Sequence, residues 1–131
     1  MTRFLIVAAG GGVGAALRYG VGLGLGRMLP GAAWPWGTFA ANGLGGLAMG
    51  LLVGWLAHRG GAHAETWRLL IGVGLLGGFT TFSAFSLEVA LMIERRQMGL
   101  ALGYALASVI VAVVALFVGL WIMRRMAGGA L

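Results

Sequence analysis

Four stretches of this chain stay apolar for about twenty residues or more, and only short polar connectors separate them. They cover about residues 4–26, 36–57, 67–94 and 98–123, each long enough to cross a hydrocarbon core that takes about 20 residues of helix. Lipid offers no water to satisfy backbone N–H and C=O groups, so segments of this length cross as helices. The expected fold is therefore an all-α membrane protein of four transmembrane helices, with residues 1–131 forming one domain and little lying outside the bilayer. Charged residues make up only 9% of the chain, against about a quarter in soluble domains. The connectors LPGAAWPW, HRGGAHAE and ERRQM read as turns at the membrane surface. The apolar run that starts at Phe4 is too long for a signal peptide, so it is read as a retained first span.

Composition also excludes several kinds of chemistry. The chain has no cysteine, two histidines, three glutamates and no aspartate, which leaves no thiolate chemistry and little from which side chains could build a metal site. His58 and His63 share a loop, and no nucleophile and base stand together, so an enzyme is not expected. Gly10, Gly12 and Ala15 have dinucleotide-fingerprint spacing, as do Gly72, Gly74 and Gly77. Neither set follows a strand of ordinary length, and no acidic residue stands about 20 positions after the first set. The net charge of +6 is carried by arginines, which suit lipid headgroups better than nucleic acid.

Glycine spacing describes the packing. Gly10, Gly14, Arg18, Gly22 and Gly26 recur at i+4 on the first span, and Asn42, Gly46, Gly50 and Gly54 on the second. Small residues in such ridges let helix backbones approach closely, which is how helices associate in lipid. Arg18 and Asn42 stand out from this pattern. Arg18 either snorkels to the interface or places a fixed positive charge at the mouth of an aqueous vestibule. Asn42 either bonds a neighbouring helix or donates into a polar path. Arg3, Arg59, Arg68, Arg124 and Arg125 fall on one side of the membrane, with Arg27, Arg95 and Arg96 opposite. That weak bias leaves two possibilities: one orientation fixed by the ERRQM turn, or insertion both ways with antiparallel pairing.

The third span contains GGFTTFSAFS, an unusual run for a lipid-facing helix. The paired glycines Gly77 and Gly78, followed by β-branched Thr80 and Thr81, weaken helix near the midpoint of the span. Either a modest kink or a true break follows, and a break would free backbone carbonyls of the kind that hold small cations in membrane proteins. Phe82 and Phe85, three apart, share a helix face, and the positive edge of an aromatic ring can contribute to holding an anion. Thr81, Ser83 and, in the fourth span, Tyr104 and Ser108 add hydroxyls, which together outline a narrow neutral path with donors and ring edges.

GGFTTFSAFSLE resembles the signature of the Fluc (CrcB-type) fluoride channel family. The resemblance extends through GGGVGAALRY in the first span, WPWGTFAANGLGG leading into the second, and Tyr104 with Ser108 in the fourth. It implies a dual-topology antiparallel homodimer in a prokaryotic cell membrane, with a pair of pores that let fluoride leave the cell passively. By position, Phe82 and Phe85 match the ring-edge box, Asn42 the amide donor, Tyr104 and Ser108 the hydroxyl track, and Arg18 the vestibule arginine. The carbonyls of Gly77 and Thr80 match ligands of a central structural sodium ion. Ala84 and Ala112 depart from the pattern where hydroxyls are common. A small dual-topology multidrug-type exporter is the alternative, but it needs an acidic residue in the first span, and none precedes Glu65. Glu88 is the only deep acidic residue and is read as a vestibule or ion-pair group.

Overall fold

A computed structural model describes residues 1–128. Helix α1 covers Thr2–Met28 and α2 covers Trp36–His58. The third span is composite: α3 (Ala64–Trp67), a π-helical segment π1 (Arg68–Leu76), α4 (Gly77–Phe79), a break, and then α5 (Ser83–Glu94). Helix α6 (Met98–Gly128) completes the bundle. Among the described residues, four helical spans are long and apolar enough to cross a membrane: Thr2–Met28, Trp36–His58, Ala64–Glu94 and Met98–Gly128.

Backbone-to-backbone contact joins these helices. A Cβ placed on Gly46 would overlap the Ala112 carbonyl, one on Gly50 the Leu116 carbonyl, and one on Gly119 the Leu47 carbonyl, so α2 and α6 meet with no side chain between them. Gly10 and Gly14 do the same for α1 against π1, where Leu70, Gly74 and Leu75 present their backbones. The first-span ridge fades toward its end: Gly22 meets Gly37, while Gly26 faces nothing within 4 Å. Large apolar side chains such as Phe4, Leu17, Leu102 and Phe117 point outward, as befits a surface wetted by lipid tails.

The break falls within the stretch that the sequence marks as weak, at its threonines. Gly77 and Gly78 remain helical, and the chain leaves helix at Thr80, whose φ of −83° and ψ of 159° are extended. Gly78 serves packing, because a Cβ there would overlap the Gly11 carbonyl of α1, whereas a Cβ on Gly77 would meet nothing closer than ordinary contact. π1 was not anticipated. Its bonds run five residues back, as when the Gly77 N–H donates to the Gly72 carbonyl, and a pattern of apolar residues does not distinguish that widening from ordinary helix.

The ERRQM turn closes α5 with a Schellman arrangement. The Gln97 N–H donates to the Met92 carbonyl and the Arg96 N–H to the Ile93 carbonyl, with Arg96 at φ 59°. That left-handed position costs a residue with a Cβ about 1–2 kcal/mol, so Arg96→Gly is expected to raise stability by about 1 kcal/mol. Gly50→Ala, by contrast, is expected to lower it by roughly 1–3 kcal/mol through overpacking against Leu116. Thermal midpoints of the purified variants in detergent check both signs.

Candidate functional site

Breaking a helix in mid-membrane strands backbone groups, and two side chains from neighbouring helices meet part of that need. The Asn42 side chain of α2 takes both polar groups of residue 81: its Nδ2 donates to the Thr81 carbonyl at 3.0 Å, and its Oδ1 accepts from the Thr81 N–H at 2.8 Å. Arg18 of α1 donates through Nε to the Gly78 carbonyl at 3.2 Å. Thr81 Oγ1 in turn accepts from the Ala84 N–H at 3.2 Å, as a capping residue does at the start of a helix, and lies 3.4 Å from Ser83 Oγ.

The carbonyls of Gly77 and Thr80 thereby lose their helical partners. The Thr81 amide is committed to Asn42 and the Ala84 amide to Thr81 Oγ1. Among the described residues, no hydrogen bond reaches the carbonyls of Gly77, Phe79 or Thr80. The Thr80 hydroxyl points the other way and donates to the Leu76 carbonyl at 2.9 Å. Its methyl group lies where a Cβ on Gly45 would be, so Gly45 makes room for the break.

A cavity of about 480 Å³ opens beside the break, walled by Asn42, Thr81, Phe82, Phe85 and Ser108 and by apolar side chains of α6. The rings of Phe82 and Phe85 stand 5.5 Å apart, and the Phe85 ring lies 5.4 Å from that of Tyr104. Phe82 is 77% exposed, so one ring of the pair is open to whatever lies outside this chain. Ser108 is only 6% exposed, and its Oγ makes no hydrogen bond among the described residues. A buried hydroxyl without a partner is uncommon and marks a place where another group can be received.

Glu88 organises a second cluster. Thr38 Oγ1 donates to its Oε1 and the Tyr104 hydroxyl to its Oε2, each at 2.6 Å. The Tyr104 proton is therefore committed to a carboxylate in this geometry. Trp34 packs edge-on to both Phe39 and Tyr104, which covers the cluster from the first connector. Arg18, Thr38 and Glu88 also line a separate open cavity of about 500 Å³. Of this cluster, Glu88 and Tyr104 stand out in the sequence, while Thr38 and Trp34 do not. Thr38 stands four residues before Asn42, so it belongs to the same face of α2 and was legible by spacing.

Four apolar spans, one of them opened in mid-membrane beside a cavity, define a small polytopic membrane protein built around an interrupted helix. The family model described as CrcB-like protein, Camphor Resistance (CrcB), matches residues 5–120, and the chain belongs to that family. A protein of Phenylobacterium zucineum (strain HLK1) described as fluoride-specific ion channel FluC is 65% identical over 125 residues, covering 95% of this chain and 98% of that protein. One from Caulobacter vibrioides (strain NA1000 / CB15N) with the same description is 56% identical over 125 residues, with 95% and 98% coverage. Another so described, from Novosphingobium aromaticivorans, is 56% identical over 128 residues, covering 97% of this chain and all of that protein. With bacterial relatives of this kind and four apolar spans, the chain is a multi-pass inner-membrane protein.

Replacing Asn42 with alanine leaves both polar groups of the Thr81 peptide unpaired. At about 1–3 kcal/mol for each buried unsatisfied group, backbone hydrogen exchange at Thr81 is expected to accelerate by roughly tenfold to a hundredfold. Hydrogen-exchange mass spectrometry over peptides containing residues 79–84 measures it.

Proposed function

We propose that this chain forms a fluoride-selective channel that lowers cytoplasmic fluoride by passive export, assembled as an antiparallel homodimer with a pair of pores. The observation that carries the reading is Ser108: a buried hydroxyl without a partner on the wall of a cavity that also holds the rings of Phe82 and Phe85. Fluoride is small and strongly hydrated, so only close donors replace its water. Hydroxyls, ring edges and a side-chain amide offer that in sequence without a cationic side chain beside the rings to trap the ion. Asn42, Thr81 and Ser83 extend the path beside the ring pair, Tyr104, whose one proton goes to Glu88, backs it by packing its ring against Phe85, and Arg18 draws anions toward one cavity. The matching descriptions of its relatives support the same assignment.

The open geometry supports dimerisation. The cavity is not closed by this chain alone, and Phe82 projects from it. A second copy in the opposite orientation would cover that face, and the weak arginine bias between the two sides permits both insertions.

The carbonyls of Gly77 and Thr80 fit a small cation such as a structural sodium ion. They are hard oxygen donors, stranded together at the break, and the same pair from a second copy would complete the set. Such an ion supplies fixed positive charge at the midplane, which offsets part of the cost of an anion there.

Liposomes loaded with potassium fluoride, opened to potassium by valinomycin and read with a fluoride electrode, test the channel directly. Rapid fluoride efflux with negligible efflux from chloride-loaded liposomes is expected, and no flux of either ion from folded protein would sink the reading. Phe82→Ile and Phe85→Ile are each expected to slow fluoride efflux by about tenfold while the protein stays dimeric, as loss of a ring edge worth about 1 kcal/mol implies. Cysteine labels near both termini should react from both sides of the membrane in cells. A single orientation would eliminate the antiparallel dimer.

A further inference from the structure

The break exposes five consecutive carbonyls, from Gly77 to Thr81, yet among the described residues the neighbouring helices cap only Gly78 and Thr81. Among the described residues, Gly77, Phe79 and Thr80 have no hydrogen-bond partner for their carbonyls. Asn42 accounts for Thr81. The Gly78 carbonyl is taken by Arg18, a residue 60 positions away on another helix. We propose that Arg18 is a positioning residue for the cation site: by holding the Gly78 carbonyl from α1, it fixes the peptide between the two carbonyls that face the ion. This rests on the reading that Gly77 and Thr80 hold a cation, and it gives Arg18 a task distinct from drawing anions into a vestibule.

Several features of α1 converge on this contact. Gly11 and Arg18 are seven residues apart and so share a helix face. The Gly11 carbonyl lies against Gly78, and Gly14 lies against the Leu75 carbonyl and the Phe79 N–H. The helix thus presses its backbone onto π1 and α4, and one turn beyond Gly14 it supplies the donor. The donating atom is Nε rather than a terminal nitrogen. The terminal nitrogens are left out of the bond, and Arg18 borders the cavity that also holds Thr38 and Glu88. One side chain can therefore position the break through its Nε–H and carry charge at its end.

Substitution separates those two tasks. The amide nitrogen of glutamine lies the same number of bonds from Cα as arginine Nε, so Arg18→Gln keeps a donor at that point and removes the charge. Lysine carries its nitrogen one bond further, so Arg18→Lys keeps the charge and puts methylene where the donor was. Arg18→Met removes both. The purified full-length dimer would be titrated with sodium chloride at constant ionic strength against N-methylglucamine chloride, reading its thermal midpoint. Arg18→Lys and Arg18→Met are expected to raise the sodium concentration at half-effect by about tenfold, with Arg18→Gln within about twofold of the parent, as loss of a hydrogen bond from a charged donor implies. If Arg18→Gln shifts as far as Arg18→Met, or if no variant shifts, the proposal is overturned.

Hydrogen exchange over residues 77–84 in the same variants gives a readout independent of the ion. Faster exchange in Arg18→Lys and Arg18→Met but not in Arg18→Gln is expected. A parent protein indifferent to sodium would overturn the cation reading, and with it the ion-related part of this proposal. The exchange pattern would then decide whether Arg18 holds the break: equal exchange in all variants rejects it.

Discussion

The pairing of one asparagine side chain with one peptide group underlies the rest of this architecture. A helix interrupted in the middle of a bilayer leaves backbone donors and acceptors where no water can reach them, each at a cost of several kcal/mol if unmet. The Asn42 amide presents one donor and one acceptor to Thr81, as a neighbouring strand would, and so supplies from the side what the helix withdraws along its axis. With that pair in place, the chain can run extended at Thr80 and restart as helix at Ser83. Thr81 Oγ1 then caps the restart.

The glycine seams make such a pairing reachable. An asparagine side chain is short, so α2 must lie close to the third span for Asn42 to touch a peptide group there. Gly45 provides the approach by leaving space for the Thr80 methyl, while Gly46 and Gly50 hold α2 against α6. On the opposite side, Gly10 and Gly14 bring α1 close enough for Arg18 to touch Gly78. Packing and chemistry are therefore not separate layers in this protein, because the residues with no side chain set the reach of those that have one.

Much of this could be read from the chain. Length and hydropathy mark out helical spans, i+4 glycines identify the second-span seam, and the hydroxyl and phenylalanine signature points to an interruption. Other features could not be read. The sequence marks the stretch from Gly77 to Thr81 as weak helix without saying which residue leaves it; contact with Gly11 keeps Gly78 helical, and the threonines are the ones released. The π-helical stretch lies where α1 comes close to Gly74 and has no period of its own in the sequence. The bond of Thr38 and Tyr104 to a shared carboxylate joins three spans, and a one-dimensional pattern does not state which of many hydroxyls meets the one deep acid.

The α2–α6 seam also limits how this protein can change over time. Where Gly46, Gly50 and Gly119 press directly on carbonyl oxygens, no smaller residue exists to absorb a neighbour's growth, so a change on either helix has no local compensation. The outward faces away from the cavity, wetted by fluid acyl chains, carry no such restriction: residues such as Phe4, Leu17, Leu102 and Phe117 can exchange with little effect on the interior. Divergence within such a lineage is channelled to the lipid side, and the seam behaves as a fixed spine around which the surface drifts.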